Sequence, residues 1–155
     1  MSVFLKTEKV KKEWTDYNGH MNMSYYVLIF DNAAEVMLTK FNIGEESAQS
    51  DKKSTFAVET HTTYDQEVKL GEEVEVHLTY FDHDKKRIHY RASMFHKEKK
   101  YLAATTEVLS LYIDLNKRKV AEFEPEKIVI MDDFIKSNSS KFNTEKLVLL
   151  NKLKK

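Results

Sequence analysis

A chain of 155 residues is long enough for one domain with a substantial core. Its 25 Lys+Arg balance its 25 Asp+Glu, which gives no reason to expect a nucleic-acid or acidic-membrane partner and leaves little net charge to oppose self-association. No cysteine is present, so disulfides, thiolate metal sites and cysteine nucleophiles are excluded.

Residues 1–12 hold no apolar stretch of signal-peptide length, and the longest apolar run, 25–30, is too short to span a bilayer. The expectation is an unexported, cytoplasmic protein. Val3 to Trp14 reads as a strand-like arm. Asp16 to Asn22 is a loop, because Asp, Asn and Gly together favour turns. Met23 to Phe41 is helical: Ser24, Asp31, Glu35 and Thr39 recur at spacings of seven, four and four and form a single polar stripe. The rest of that helix is largely apolar and needs protein around it. Asn42-Ile43-Gly44 supplies a stop signal.

Glu45 to Lys53 reads as polar loop. Strands follow over Thr55–Asp65, Glu73–Phe81, Arg87–His96 and Tyr101–Leu115. In the first, Phe56, Val58 and Tyr64 are expected on one face, with Glu59 and His61 on the other. In the last, alternation blurs near Thr105-Thr106, which suggests a bulge. Asp82 to Lys86 reads as a hairpin turn. Glu126 to Lys155 reads as two short helices joined by Ser137-Asn138-Ser139-Ser140. The pattern is α+β, with a curved antiparallel sheet able to wrap one long apolar helix. Residues 1–155 are expected to form a single domain, with 126–155 as a C-terminal helical extension.

The segment Asp16-Tyr17-Asn18-Gly19-His20-Met21-Asn22, at the mouth of the long helix, resembles the motif of hotdog-fold acyl-CoA and acyl-carrier-protein thioesterases. Its Asp16-to-Gly19 spacing is similar to that of the 4-hydroxybenzoyl-CoA thioesterase family. Glu13–Asn22, Tyr25–Leu28, Glu59–Tyr64, Asp84–His89 and Ala103–Glu107 resemble, in one consistent order, a subgroup of betainyl-CoA thioesterases of carnitine breakdown. The resemblance spans roughly Glu13 to Asp114 and leaves the C-terminal segment unmatched. It implies a hotdog fold, hydrolysis of a small acyl-CoA, no cofactor beyond the coenzyme A of the substrate, and a homodimer or tetramer.

Thioester hydrolysis needs a carboxylate and donors aimed at the developing oxyanion. Asp16 is the candidate base or nucleophile, as the resemblance also implies. Backbone N–H groups near Asn22 and Met23, at a helix start, are the candidate oxyanion donors. Asn18 and His20 are candidates to orient Asp16 or a water, and Gly19 permits a tight turn or close approach to the thioester. Helix capping explains the same loop, with Asn22 as N-cap and Asp16 and Asn18 as turn formers. The two roles can coexist.

Other candidates also have structural explanations. Glu59 is a possible second acid/base and His61 a site-lining donor, or both belong to a solvated strand face. Asp31 and Glu35 are helix carboxylates that meet either a partner subunit or water. Lys85, Lys86 and Arg87 suit coenzyme A phosphates, or simply form a charged hairpin turn. Trp14, Tyr17, Tyr25 and Tyr26 suit a trimethylammonium group through cation–π attraction, or form core and interface. The six histidines show no metal-ligand spacing. A hotdog hydratase is disfavoured, since its Asp-x-Asn-Pro-x-His pattern does not fit Gly19 and His20. A non-catalytic acyl-CoA sensor is the reading from another class.

Overall fold

The apolar segment expected to be helical is α1, Met23–Lys40, in the computed structural model, which describes residues 2–155. Met1, the first residue of the expected domain, lies outside the described residues. Tyr26, Ile29, Phe30, Ala33, Ala34 and Met37 recur at helical spacing and are buried. Burying a side chain such as Ile29 or Met37 contributes roughly 1.5–3 kcal/mol. The polar stripe stays outside, but Met23, Val27 and Leu28 are also exposed. Asn42, in the left-handed region at φ 57, ends the helical path.

Six strands form one antiparallel sheet: β1 Val3–Lys9, β2 Lys53–Tyr64, β3 Glu73–His83, β4 Arg87–His96, β5 Leu102–Asp114 and the short β6 Lys119–Val120. Their order is β1-β3-β4-β5-β2, with β6 also on β5. Val74, Val76, Leu78 and Tyr80 of β3 and Ile88, Tyr90, Ala92 and Met94 of β4 alternate inward and are buried. Register shifts in the β1–β3, β3–β4 and β4–β5 pairings bend the sheet, and α1 packs against β1, β4 and β5. This is the expected α+β hotdog layout. Among the described residues no helix is long and apolar enough to cross a membrane.

Several local expectations are corrected. The N-terminal arm ends as a strand at Lys9 and turns through a 3₁₀ segment, Lys12–Trp14. The expected loop after Gly44 contains a helix, α2, Glu45–Ser50. Glu45 and Glu46 suit the positive end of its dipole, and the Glu35 carboxylate accepts the Glu45 N–H at 2.7 Å. β6 was not foreseen.

The blurred alternation at Thr105-Thr106 is not a bulge, since the register runs through unbroken. The threonines there hydrogen-bond across strands, Thr106 to Thr62 at 2.8 Å and Thr105 to Thr63 at 2.7 Å. The bulge lies in β2 between Ala57 and Glu59. It puts Phe56 on the same face as Glu59 and His61, opposite to expectation, while Tyr64 keeps the face toward α1.

The tail holds one α-helix, α3, Pro125–Asn138, and a 3₁₀ turn, Ser139–Lys141, rather than two α-helices. Ser137–Ser140 is the junction of these two. Beyond it the chain crosses the outer face of the sheet, because strand side chains capture its backbone. Glu107 accepts the Val148 and Leu149 N–H groups at 2.7 and 2.8 Å, Asp84 accepts that of Lys154 at 2.8 Å, and Arg91 donates to the Asn143 and Glu145 carbonyls.

Candidate active site

The loop before α1 is closed on itself. Thr15 and Met21 form a bridge, Gly19 N–H donates to the Asp16 carbonyl at 3.0 Å, and Asn22 N–H donates to the Trp14 carbonyl at 2.8 Å. Met21 N–H reaches the Val68 carbonyl at 2.8 Å, which ties the loop to the segment between β2 and β3. Gly19 sits at φ +79 with open space where a Cβ would be, so the backbone angle of the turn is what calls for glycine.

Both oxygens of Asp16 are held. Oδ1 accepts the Asn18 N–H at 2.8 Å, and Oδ2 accepts the Asn22 side-chain amide at 3.1 Å. The Asn18 N–H first, then the Asn22 amide, keep the Asp16 carboxyl below the usual carboxylate range; partial burial opposes them and nearby His20 adds to them. Asn22 is also the N-cap: its Oδ1 accepts the Ser24 N–H at 3.0 Å. Capping and orienting therefore coexist in one side chain.

Of the two amides expected at the oxyanion position, that of Asn22 is taken by Trp14. Met23 N–H has no acceptor among the described residues. His20 Nδ1 lies 3.0 Å from the Met21 carbonyl, which can only accept, so Nδ1 carries the proton and Nε2 is left available. His20, Met21 and Met23 line one side of a shallow depression of about 190 Å³. Its other side is Tyr26, Tyr64 and 65–67, of which sequence reasoning anticipated only Tyr26. Tyr64 had a usable signal as the last inward position of an alternating strand; residues 65–67 had none.

The remaining candidates do not line this depression. Trp14 is buried and stacks on Tyr25 at 5.9 Å, with Lys11 over its ring at 5.0 Å, and Tyr17 is 98% exposed. The four rings are thus not gathered around one point in this chain, and buried Trp14 takes the core role of the two offered. Glu59 and His61 pair with Leu109 and Glu107 on the outer face of the sheet, away from α1, and Glu59 lies 3.3 Å from Lys152 of the tail. Asp31 is exposed, and Glu35 is twelve residues along α1 from Met23, roughly 18 Å. Lys85, Lys86 and Arg87 precede or begin β4, whose ten residues put them roughly 30 Å from the motif end. Their structural duties are visible: Arg87 pairs with Asp84 at 2.9 Å, and the Lys85 and Lys86 carbonyls accept from Phe123 and Tyr112.

Comparison with known proteins gives this geometry a context. The model of the thioesterase-like superfamily matches residues 10–135. The betainyl-CoA thioesterase of Pseudomonas aeruginosa is 31% identical over 117 residues, 76% of this chain and 74% of that protein. The L-carnitine dehydrogenase/betainyl-CoA thioesterase of Rhizobium meliloti is 30% identical over 106 residues, 68% of this chain but only 21% of that longer protein. A Staphylococcus aureus protein solved in complex with CoA superposes with a TM-score of 0.81 at 26% identity, covering 97% of this chain and 94% of its own. A 1,4-dihydroxy-2-naphthoyl-CoA thioesterase from Synechocystis has a TM-score of 0.73 at 18% identity, covering 84% and 96% of the two chains, a likeness of fold.

Proposed function

The chain belongs to the thioesterase-like superfamily and is a thioester hydrolase, and from that premise we propose that it cleaves a small acyl-CoA, with betainyl-CoA the leading substrate, to the free acid and coenzyme A. The observation that carries the assignment of the site is the pairing of a clamped, ionised Asp16 with the start of α1, where Met23 N–H has no acceptor among the described residues. The betainyl group is supported by the two relatives of that activity.

Asp16 supplies the carboxylate that attacks the thioester carbonyl carbon, or that removes the proton from the water which does. Met23 N–H, at the positive end of the helix dipole, donates to the oxyanion of the tetrahedral intermediate. His20 Nε2 positions the water. Collapse of the intermediate breaks the carbon–sulfur bond. Where water attacked, the proton Asp16 took from it passes to the sulfur and the free acid results. Where Asp16 itself attacked, water then cleaves the acyl–Asp16 anhydride and supplies the proton. Each route consumes one water and releases coenzyme A as thiol. Carboxylate, water and backbone donor suffice for this step, so coenzyme A enters as part of the substrate and no cofactor or metal is invoked.

The active form we propose is a homodimer or a pair of dimers, working in the cytoplasm. β2 is an edge strand, and an unpaired edge is a liability unless covered. Phe56 and Val58 on β2, and Met23, Val27 and Leu28 on α1, are exposed apolar side chains. The test of the reaction is thiol release from a panel of short-chain, aromatic and betainyl CoA thioesters. Turnover with a clear best substrate supports the proposal; binding of all without thiol release favours the sensor reading instead.

A further inference from the structure

Beside His20 and Met23, the depression of about 190 Å³ is smaller than the roughly 300 Å³ at which pockets for drug-sized ligands begin, and so suits a small acyl group. Two of its walls are tyrosines from different elements. Tyr26 comes from the first turn of α1, and Tyr64 is the last residue of β2. Their ring centroids are 5.4 Å apart and their planes meet at 89°. Tyr26 is 4% exposed and its hydroxyl donates to the Gln66 carbonyl at 3.4 Å, so that ring is fixed; Tyr64 is 44% exposed. Rings at right angles present negative π density to a group seated in their corner.

The rim adds formal charge of the same sign. Asp65 and Glu67 both line the depression, and among the described residues no lysine or arginine does. The Thr63 hydroxyl donates to Asp65 at 3.2 Å and steadies it. Glu67 also lies 3.7 Å from Lys69, an exposed pair that water screens.

We infer that Tyr26 and Tyr64, with Asp65 and Glu67 at the rim, form an acyl pocket selective for a group bearing a fixed positive charge, such as a quaternary ammonium. This rests on the thioesterase reading above and names the residues that would discriminate its substrate. A neutral group of the same shape gains the apolar contact with the rings but not the attraction to their faces or to the carboxylates.

The test compares two CoA thioesters of equal shape, betainyl-CoA and 3,3-dimethylbutanoyl-CoA, in which a carbon replaces the charged nitrogen. Steady-state kcat/KM is measured for the wild type, Tyr64→Leu, Tyr64→Phe and Glu67→Gln. The wild type is expected to favour the charged thioester by about tenfold or more. Tyr64→Leu brings the ratio close to one, Tyr64→Phe retains it because the ring face survives, and Glu67→Gln lowers it by about two- to threefold. Equal turnover of both thioesters by the wild type, or a ratio unmoved by Tyr64→Leu, overturns the inference while leaving the thioesterase reading intact. Hydrolysis of no acyl-CoA at all by the folded wild type overturns both.

Discussion

Asn22 is bonded at both ends of its side-chain amide: Oδ1 accepts the Ser24 N–H at 3.0 Å, and Nδ2 donates to Asp16 Oδ2 at 3.1 Å. One residue therefore starts the helix whose first amide is the proposed oxyanion donor and holds the proposed catalytic carboxylate. The loop is built so that the two cannot be placed independently.

That coupling can be separated by substitution. Asn22→Ser keeps a good N-cap but loses the amide that holds Asp16, so stability changes by a few tenths of a kcal/mol while kcat falls. Asn22→Ala loses both and costs about 1 kcal/mol of stability as well. The pH profile reports the same contact. With Asp16 held below the usual carboxylate range, the acid limb of kcat/KM in the wild type lies below ordinary carboxylate pKa values. In Asn22→Ser it moves upward, because one of the donors that favour the charged form is gone. Denaturant melts and pH–rate profiles of the two variants check this.

The C-terminal tail should depend on one buried carboxylate. Glu107 is 3% exposed and accepts from His89 Nε2 at 2.6 Å as well as from Val148 and Leu149 N–H. Burial pushes its carboxyl up, but the Val148 N–H, the His89 ring and the Leu149 N–H together outweigh that and leave it below its ordinary value of 4.5. Its stabilising contribution is therefore complete above that value and is lost as pH falls through the lower folded-state pKa. Glu107→Gln should cost roughly 2–3 kcal/mol and speed hydrogen exchange at Val148 and Leu149 near neutral pH. Unchanged exchange at those two amides would mean the carboxylate does not hold the tail.

Glu35 should be structural. Its Oε1 accepts the Glu45 N–H at 2.7 Å and lies 2.3 Å from where a Cβ on Gly44 would stand. Glu35→Gln is expected to leave kcat/KM within about twofold, since the carboxylate is roughly 18 Å along the helix from the site. Gly44→Ala is expected to destabilise by roughly 1–3 kcal/mol, because the start of α2 must shift away from Glu35. Activity assays paired with thermal melts distinguish this from a catalytic role, which would show as a large loss of kcat in Glu35→Gln.

The exposed apolar surface of β2 and α1 predicts self-association. Light scattering at micromolar concentration should give at least twice the single-chain mass, and Val58→Asp should shift the protein toward monomer by placing a charge on that surface. A wild-type monomer at that concentration would contradict it.

The α+β pattern was readable because α1 is a long apolar helix with one polar stripe and β3 and β4 alternate, and the resemblance of the motif pointed from there to the hotdog layout. The Asp16–Asn22 segment stood out through its resemblance to the thioesterase motif; its Asp, Asn and Gly residues alone announce a turn and a helix cap, and here Asn22 caps α1 and also donates to Asp16. What escaped the sequence were contacts between distant segments. α2 begins against Glu35, ten residues earlier, which supplies an acceptor for its first N–H. The blurred threonines of β5 are explained by Thr62 and Thr63 across the strand pair, and a single extra residue at Val58 reverses the face of Phe56. Glu59 and His61 share a face as expected, but only the three-dimensional path shows that face turned away from α1. Tyr64 could be matched with Tyr26 only once β2 was seen to end beside the first turn of α1.

Asp16 is proposed to perform the chemistry. The direct test is steady-state thiol release from betainyl-CoA, or from the best thioester of the panel, by wild type and Asp16→Asn, with circular dichroism to establish that both are folded. A fall in kcat of about a hundredfold or more with the fold intact is expected. A folded Asp16→Asn that retains kcat within a few-fold of wild type would contradict it and move the reaction to another group.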